Sequence, residues 1–422
     1  MLPLDSTELS TLKKLLDSRQ PNHGLPRQFY QDELLYRIEM DAIWRQGWLF
    51  AGHSCQIPNA GDYFLYDVEG DSVIIVRGDD GNVNAIYNVC RHRGSLICLK
   101  AEGSVKRFVC PYHQWTYDRS GHLLLQNGMQ EGLDKTQLGL HHAHAREVEG
   151  LIYINLAREP LDFDTFMAAV SPVAKPQGMA RARVAKIMDF DVQANWKLVW
   201  ENNRECYHCN VNHPQYIKAN FDHYNADDTI PRIAERLKAV TTRLEAKLAA
   251  QGMSMRQETG MTEFPDPDHS IWYAANRTPL VEGYVSETMD GKPVAPLMGD
   301  YSDPDVGTLR IRSLPNFWIH ASCDHCVSVR LTPNGLTHTS IRMTWLVAAK
   351  AEQGRDYDLG QLLPFWLLTA EQDWELCLRQ QHGVNSHAYT PGPLSSYKEY
   401  NLDRFLRWYV NEIKGYIKNE YS

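Results

Sequence analysis

Two short runs in the first third of the chain place cysteine and histidine at metal-binding spacing. Residues 90–94 read Cys-Arg-His-Arg-Gly and residues 110–115 read Cys-Pro-Tyr-His-Gln-Trp. Two thiolates on one iron and two imidazoles on the other are the ligands of a Rieske [2Fe–2S] cluster. Neutral imidazoles lower the negative charge of the cluster, so it accepts an electron more readily than an all-cysteine cluster. The runs therefore predict a one-electron transfer centre with four ligands, Cys90, His92, Cys110 and His113.

A structural zinc site is the alternative, because two cysteines and two histidines also suit tetrahedral Zn²⁺. Zinc sites usually pair two cysteines in one run and two histidines in the next, whereas each run here holds one of each. Gly94 allows a close backbone approach and Pro111 stiffens its turn, as expected of two loops that enclose a cluster. The mixed order favours the iron–sulfur cluster.

A second group of candidate ligands lies in residues 200–214, which read Trp-Glu-Asn-Asn-Arg-Glu-Cys-Tyr-His-Cys-Asn-Val-Asn-His-Pro. On a continuous helix, the five-residue spacing of His208 and His213 would point them apart by roughly 140°. Pro214 disfavours helical backbone at His213, whose side chain can then turn back towards His208. Two histidines and one carboxylate on adjacent coordination positions are typical of non-haem Fe(II) oxygen chemistry.

The carboxylate must come from elsewhere, and residues 364–377 predict a helix that could supply it. Asp373 shares an apolar stripe with Trp366 and Cys377, and an acid on such a stripe is costly unless a cation meets it. Glu371 is the alternative, because it also lies on an apolar stripe. Periodicity alone leaves the choice between the two acids open.

The patterns around these residues predict an α+β protein in two parts. A small antiparallel β domain would carry the cluster motif on its loops, with strands at Tyr63–Val68, Ser72–Arg77, Val83–Val89 and 151–156. A catalytic domain would hold a second antiparallel sheet that is covered by helices. Its predicted strands are 184–192, 310–313, 317–321, 326–332 and 338–348, and its predicted helices are 195–208, 361–381 and 403–417.

The chain, at 422 residues, is long for a single hydrophobic core, so we expect more than one domain. An N-terminal helical segment at 1–45 should pack on the catalytic domain. The cluster domain follows at 46–160, a proline- and glycine-containing linker at 161–185, and the catalytic domain at 186–422.

Charge and composition exclude several classes of protein. A net charge of −9, from 43 Lys+Arg against 52 Asp+Glu, argues against a partner that is nucleic acid or an anionic membrane. The chain has no apolar run long enough to span a bilayer and no secretion signal, so we expect a cytoplasmic protein. No Gly-x-Gly-x-x-Gly follows a predicted strand, and a nicotinamide or flavin site is not expected.

Nine cysteines without a secretion signal predict thiols and ligands in a reducing compartment. Cys206-x2-Cys209 and Cys323-x2-Cys326 could in principle form a zinc site. Their separation far exceeds the usual spacing, which disfavours that alternative.

The cluster motif, the run Glu-Cys-Tyr-His-Cys-Asn-Val-Asn-His at 205–213 and a late helical aspartate together resemble the oxygenase subunit of Rieske non-haem iron oxygenases, over about residues 25–415. The resemblance implies that His208, His213 and Asp373 hold a mononuclear Fe(II). It also implies that Glu205 is an acidic bridge between that iron site and the cluster of the next subunit. Glu205 would lie one helical turn before His208, so both side chains could share a face.

The same resemblance implies cofactors and partners. They are the [2Fe–2S] cluster, the mononuclear Fe(II), O2 as co-substrate, electrons from NAD(P)H through a separate flavin/iron–sulfur reductase, and a head-to-tail homotrimer.

Residues 201–209 resemble most closely the branch of the family that demethylates quaternary ammonium compounds such as glycine betaine or stachydrine. This resemblance implies a monooxygenase that hydroxylates an N-methyl group and releases formaldehyde. Aromatic ring faces attract a quaternary ammonium, so we expect an aromatic box, although a residue of each candidate's type is more often plain core. The candidates are Trp272, Tyr273, Tyr284, Phe317, Trp318 and Trp366. An oxygenase that hydroxylates aromatic rings, and a non-enzymatic electron-transfer or redox-sensing Rieske protein, are the alternatives.

Overall fold

The computed structural model describes residues 4–130, 132–221, 231–253 and 272–421. The strands of the described residues form three sheets of seven, six and three strands, and the neighbours within each sheet are antiparallel. Most of the helices lie in the same part of the chain as the six-stranded sheet. The α+β class predicted from the sequence is confirmed.

The first part of the chain forms the seven- and three-stranded sheets. The larger sheet has the order β1-β10-β9-β4-β3-β2-β5, and the small one has the order β6-β7-β8. Here β1 to β10 are Leu49–His53, Asp62–Val68, Asp71–Arg77, Val83–Tyr87, Glu102–Ser104, Phe108–Val109, Thr116–Tyr117, Leu123–Leu125, His142–Val148 and Leu151–Asn155. The four strands predicted here all exist, with ends that agree to within two residues.

The second part is built on the six-stranded sheet, which has the order β11-β16-β15-β14-β13-β12. Its strands β11 to β16 are Arg183–Val192, Tyr273–Thr278, Thr308–Ser313, Phe317–Ala321, His325–Pro333 and Thr339–Val347. The α-helices α1 to α11 of the chain are Ser6–Asp17, Gln28–Gln31, Glu33–Glu39, Asp164–Ala174, Trp196–Asn203, Cys209–Asn212, Pro214–Ala219, Pro231–Ala249, Leu359–Leu362, Pro364–Val384 and Tyr400–Glu420.

The two faces of the six-stranded sheet bury different cores, because side chains alternate along a strand. On one face, Ile311, Phe317 and Ile319 pack with Phe166 of α4 and with Phe50 of β1. The opposite face, which includes Trp318 and Val329, packs with α5, α10 and α11. Both faces therefore join the sheet to the cluster-bearing part of the chain, because Leu49, Phe64 and Tyr66 belong to the second core.

The predicted linker at 161–185 is largely folded, which corrects the sequence-based prediction. Helix α4 occupies Asp164–Ala174, and β11 already begins at Arg183. Phe166, Ala169, Val170 and Val173 are buried, and they recur at the three- and four-residue steps of an amphipathic helix. The linker was predicted from the proline and glycine residues of this stretch, and its apolar pattern was not considered.

The N-terminal segment packs on the helices of the second part. The carboxylate of Glu39 on α3 is fully buried and accepts hydrogen bonds from Trp196 Nε1 at 2.7 Å and Lys197 Nζ at 2.6 Å. Tyr30 donates a hydrogen bond of 2.7 Å to Glu201. Buried polar groups of α5 are thus satisfied by the N-terminal segment. Within the described ranges, no helix combines the length and the apolar character that crossing a membrane requires.

Candidate metal centres and substrate cavity

The two cysteine–histidine runs form loops with the same backbone geometry. The N–H of Gly94 donates to the carbonyl of Cys90 at 2.9 Å, and the N–H of Gln114 donates to the carbonyl of Cys110 at 3.0 Å. In both loops the next residue, Ser95 or Trp115, accepts from the cysteine N–H, at 2.9 and 2.8 Å. Gly94 and Gln114 are both left-handed, with φ of 74° and 61°. The loops are therefore matched halves of one binding site.

The side chains of these loops bury sulfur and leave the imidazoles nearer the surface. Cys90 and Cys110 are 3% and 2% exposed and interact with each other, and Tyr117 Oη lies 3.3 Å from the sulfur of Cys90. His113 is exposed and His92 is half-buried, and their ring centroids are 4.6 Å apart.

The donor set fits a Rieske cluster. The Nδ1 atom of His92 is buried and has no hydrogen-bond partner among the described residues, which is costly for a ring nitrogen unless it ligates a metal. Trp115 stacks on the His92 ring, with centroids 4.9 Å apart and planes within 6°. Two buried thiols and an unpaired imidazole nitrogen on matched loops are what this cluster needs.

The chain around the second candidate centre is a series of short helices. Helix α5 ends at Asn203, and α6 begins only at Cys209, so the predicted helix through His208 is wrong. A turn separates them, and Glu205 and His208 meet across that turn and not along a helix face. His213 has φ −123° and ψ 64°, outside the helical region, and Pro214 starts α7. This agrees with the expected effect of proline on the preceding residue.

The two histidines converge on one carboxylate oxygen. The Nε2 atoms of His213 and His208 lie 2.9 and 3.3 Å from Oδ1 of Asp373, which α10 carries. On the other side of each ring, Nδ1 of His208 lies 2.5 Å from Oε1 of Glu205, and Nδ1 of His213 lies 2.8 Å from Oε1 of Gln372. Hydrogen bonds at both Nδ1 atoms leave the Nε2 atoms as electron-pair donors.

These three donors fit a mononuclear metal ion. With metal–ligand bonds of about 2.1 Å, two ligands at right angles stand about 3 Å apart, as these atoms do. The arrangement is the facial set of two histidines and one carboxylate that suits Fe(II). Electron pairs on two imidazoles and an anionic oxygen would repel one another without a cation.

The pKa values of the two partners reflect the same convergence. Burial alone lowers the pKa of His208, but the hydrogen bonds with Asp373 and Glu205 outweigh it and raise the pKa to about 10. Burial raises the pKa of Asp373, but its contacts with both histidines outweigh burial and lower it. The position between these side chains is thus favourable to positive charge.

The structure distinguishes Asp373 from Glu371, which helical periodicity alone could not do. Asp373 faces the histidines, whereas Glu371 is exposed on the outer side of α10 near Asn212. Gln372, which the sequence analysis did not single out, orients His213. Its position beside Asp373 in the sequence was the only available signal.

Cys206 and Cys209 are joined as a disulfide, which contradicts the expectation of free thiols at these positions. The turn between α5 and α6 brings their Cα atoms to 5.0 Å, within the range that a disulfide requires. Cys323 and Cys326 are buried separately, against the carbonyl of Val285 and the sulfur of Met298. A zinc site shared by the two pairs is therefore not formed.

A cavity of about 250 Å³ lies between the six-stranded sheet and the candidate iron ligands. Two cross-strand rows of the sheet line it, a short row of Asn276, Arg310 and His320 and a longer one in which each residue is also the direct partner of the next. The longer row is Ala274, Arg312, Trp318, Val329 and Met343. Helix α10 forms the opposite wall with Trp366, Thr369, Ala370, Asp373 and Trp374.

Because side chains alternate along a strand, some of the aromatic residues predicted for the box line the cavity and others lie on the opposite face of the sheet. Trp318 and Trp366 line the cavity. Phe317 points to the other face of the sheet, 4.2 Å from the ring of Phe50, and Tyr273 lies on that face too, 5.5 Å from Phe166. Adjacent residues of a strand cannot share a face, so Phe317 and Trp318 could not both have been walls.

The other two candidates also lie outside the cavity wall. Trp272 is buried beneath the guanidinium of Arg204, at 5.4 Å, and Tyr284 packs against the loop at Gly291. Tyr216 and His320, which the sequence analysis did not name, line the cavity instead. His320 lies on the same sheet face as Trp318, two residues away, so period-two alternation could have found it.

Comparison with known proteins agrees with these two centres. Residues 47–136 match the Rieske [2Fe–2S] domain, and residues 179–415 match the catalytic domain of the ring hydroxylating alpha subunit. The chain is 39% identical to the glycine betaine monooxygenase oxygenase subunit of Chromohalobacter salexigens, over 96% of this chain and 89% of that protein. It is 37% identical to the subunit of the same name from Pseudomonas aeruginosa, over 99% of this chain and 95% of that protein.

Solved structures share the fold. The quaternary ammonium Rieske monooxygenase CntA in complex with L-carnitine superimposes with a TM-score of 0.67 at 17% identity, covering 95% of this chain and 98% of that one. Naphthalene 1,2-dioxygenase from Rhodococcus sp. gives a TM-score of 0.63 at 18% identity, with coverage of 97% and 99%. Because the catalytic family model spans more than half of the sequence and the relatives align over nearly all of it, the chain belongs to the ring-hydroxylating alpha-subunit family, the oxygenase subunits that combine a Rieske [2Fe–2S] domain with a mononuclear-iron catalytic domain.

Proposed function

We propose that the chain is the oxygenase subunit of a monooxygenase that hydroxylates an N-methyl group of a quaternary ammonium substrate such as glycine betaine. The observation that carries the proposal is the near full-length similarity to two glycine betaine monooxygenase oxygenase subunits, at 39% and 37% identity. An oxygenase of the same family that acts on aromatic rings is the main alternative.

The cavity supports a cationic substrate. Tyr216, Trp318 and Trp366 border it beside Asp373, and the rings of Tyr216 and Trp366 are 5.8 Å apart. A quaternary ammonium cannot donate a hydrogen bond but is attracted to aromatic faces. These rings give the cavity the aromatic faces that a quaternary ammonium group needs.

The chain's own residues have distinct roles in the proposed reaction. His208, His213 and Asp373 hold the iron, while Cys90, His92, Cys110 and His113 hold the cluster. Glu205 accepts the Nδ1 proton of His208, and Gln372 accepts that of His213, so both rings are fixed with Nε2 free to bind metal. The aromatic walls hold the ammonium group and exclude water. When bound, the iron supplies O2 activation and the cluster supplies electrons one at a time.

The proposed products follow from the chemistry of the N-methyl group. One oxygen atom of O2 enters a C–H bond, and the other leaves as water with two electrons and two protons. The N-hydroxymethyl cation then loses formaldehyde, because the C–N electron pair stays on nitrogen and the hydroxyl proton leaves. The products are formaldehyde and the demethylated amine.

Electrons must reach the cluster from NAD(P)H through a separate flavin/iron–sulfur reductase, and we place the system in the cytoplasm, where that donor is available. We also propose a head-to-tail homotrimer in which Glu205 links His208 to a cluster histidine of the next subunit. Exposed apolar side chains near both centres support this contact: Leu99 and Tyr112 are 73% and 54% exposed near the cluster, and Val211 and Tyr207 are 85% and 60% exposed near the iron ligands.

Formaldehyde release tests the proposed function. Purified holoenzyme with a compatible reductase and NADH should release one formaldehyde per O2 consumed from glycine betaine. A control without the reductase should release none. Failure with a panel of quaternary ammonium compounds, together with diol formation from an arene, would replace the proposal with the ring-hydroxylating alternative.

Mixed oligomers test the contact between subunits. Cys110→Ser removes the cluster, and His208→Ala removes the iron site, so each homo-oligomer should be inactive. Co-expression of the two variants should restore part of the wild-type turnover if one subunit's cluster serves the next subunit's iron. Light scattering should give three copies of the 48.4 kDa chain. Inactive mixed oligomers of that mass would contradict the proposed contact.

A further inference from the structure

Arg204 is a buried cation, and two of its guanidinium nitrogens have no hydrogen-bond partner in the described part of the protein. It caps the end of α5, directly before Glu205, borders the cavity and is only 5% exposed. Its Nε and Nη1 atoms are buried and form no hydrogen bond with any described residue. The guanidinium lies over the ring of Trp272, at 5.4 Å from its centroid. Buried donors without a partner are costly, so a bound ligand that supplies an acceptor would stabilise these two nitrogens.

Among the described groups that act on the charge of Arg204, Tyr400 favours it, but no carboxylate does. Arg312, on β13, borders the same cavity and repels Arg204. Burial, with that repulsion in addition, lowers the pKa of Arg204 well below its usual value. A buried charge without a counter-charge strongly destabilises a protein. An anion that enters the cavity would gain from both guanidinium groups and would relieve their repulsion.

We propose that Arg204 binds the carboxylate of the substrate, so that the enzyme selects zwitterionic betaines over N-methyl cations that lack an acid group. This inference rests on the proposed function, because it assigns the second end of the same substrate. The planar guanidinium matches a carboxylate with two parallel hydrogen bonds, and stacking on Trp272 keeps the plane in place. Arg204 is thus a binding residue that determines specificity.

The layout of the cavity agrees with a zwitterion. The rings of Trp366 and Tyr216 suit the ammonium end, which must lie beside the iron ligands for its methyl group to react. Arg204 and Arg312 suit the carboxylate end. A small betaine carries both charges a few bonds apart and complements both walls. Choline carries only the ammonium charge and would leave the guanidinium of Arg204 without a carboxylate to bind.

Steady-state kinetics with three related compounds test the inference. Glycine betaine carries the carboxylate, its methyl ester keeps the shape without the charge, and choline has a hydroxyl group instead. The wild-type holoenzyme should prefer glycine betaine by about 100-fold in kcat/KM, the range expected for a charged hydrogen-bonded pair. In Arg204→Gln the KM for glycine betaine should rise by about that factor, while kcat/KM for choline and the ester changes less than about threefold. Arg204→Lys should recover part of the loss.

Two controls separate binding from structure. Arg379→Gln removes an exposed arginine from the outer face of α10 and should leave all three substrates unaffected. The cluster absorption spectrum and the iron content of Arg204→Gln should match the wild type. If that variant does not fold, the wild-type preference and Arg204→Lys still decide the question.

The outcomes are distinct. Equal turnover of glycine betaine and choline by the wild type, or a parallel loss for all substrates in Arg204→Gln, would overturn the carboxylate role and leave the proposed function standing. No formaldehyde from any of the three compounds would overturn the proposed function, and this inference with it.

Discussion

The two candidate metal centres position their ligands in different ways. In the cluster loops, backbone hydrogen bonds set the positions of the ligands, and the two loops repeat each other from Cys90 to Ser95 and from Cys110 to Trp115. In the iron centre, the ligands come from segments about 160 residues apart, and side chains orient them: Glu205 for His208, and Gln372 for His213. The first centre is a local structure, whereas the second exists only in the complete fold.

This difference predicts where each centre is vulnerable. Backbone geometry tolerates most side-chain changes outside the ligands but not changes in φ. An iron centre built from side chains depends on each supporting group and on the packing that brings α5 and α10 together, including the contact of Cys377 Sγ with the carbonyl of Leu198. Substitutions in one centre should therefore leave the other intact.

Loss of an iron ligand should have the largest effect. His208→Ala should reduce turnover by about 1000-fold or more, because the iron would lose one of its three proposed protein ligands. The visible spectrum of the cluster should remain unchanged, and metal analysis should find one iron fewer per chain. An active variant, or one that loses the cluster as well, would break the separation of the two centres.

Removal of the charge on Glu205 should have the next largest effect. Glu205→Gln keeps a possible acceptor for Nδ1 of His208 but loses the negative charge and the proposed link to the next subunit. We expect turnover to fall by about 100-fold with iron largely retained. Single-turnover measurement of electron transfer from the reduced cluster would locate the loss. An unchanged rate would show that the carboxylate is not needed for transfer.

The role of Gln372 can be tested against its neighbour. Gln372→Ala frees Nδ1 of His213 and should weaken iron binding by about tenfold, measured by the retention of iron during dialysis against a chelator. Glu371→Ala, at an exposed position on the same helix, is the matched control and should have no effect. If Glu371→Ala releases iron instead, the choice of Asp373 as the ligand is wrong.

The smallest effects should come from the matched left-handed positions of the cluster loops. A Cβ at Gly94 would meet no atom within 4 Å, so Gly94→Ala should cost only its backbone strain, about 1 kcal/mol. Gln114 already adopts that conformation, and Gln114→Gly should stabilise its loop by about 0.5 kcal/mol. Thermal loss of the cluster absorbance should shift in opposite directions for the two variants. Shifts in the same direction would contradict the equivalence of the loops.

Prediction from the sequence succeeded where the information was local. The cysteine–histidine runs, the strands of both sheets and the effect of Pro214 on His213 all depend on residues close together in the chain. Predictions failed where distant segments compete. The apolar positions of Asp164–Ala174 form a helix because they pack on Tyr273 of β12 and on Phe163, whereas the prolines nearby had suggested a linker.

The sequence by itself determined the two ligand groups, the α+β class and the family that they resemble, because spacing and period are properties of neighbouring residues. Only the tertiary structure decided between Asp373 and Glu371, because both lie on apolar stripes and the direction of the helix relative to the histidines is set by packing. It also decided which aromatic residues face the cavity and placed Arg204 there with no carboxylate among the described groups that act on its charge. Burial and the pairing of charges depend on contacts between segments that the sequence keeps far apart.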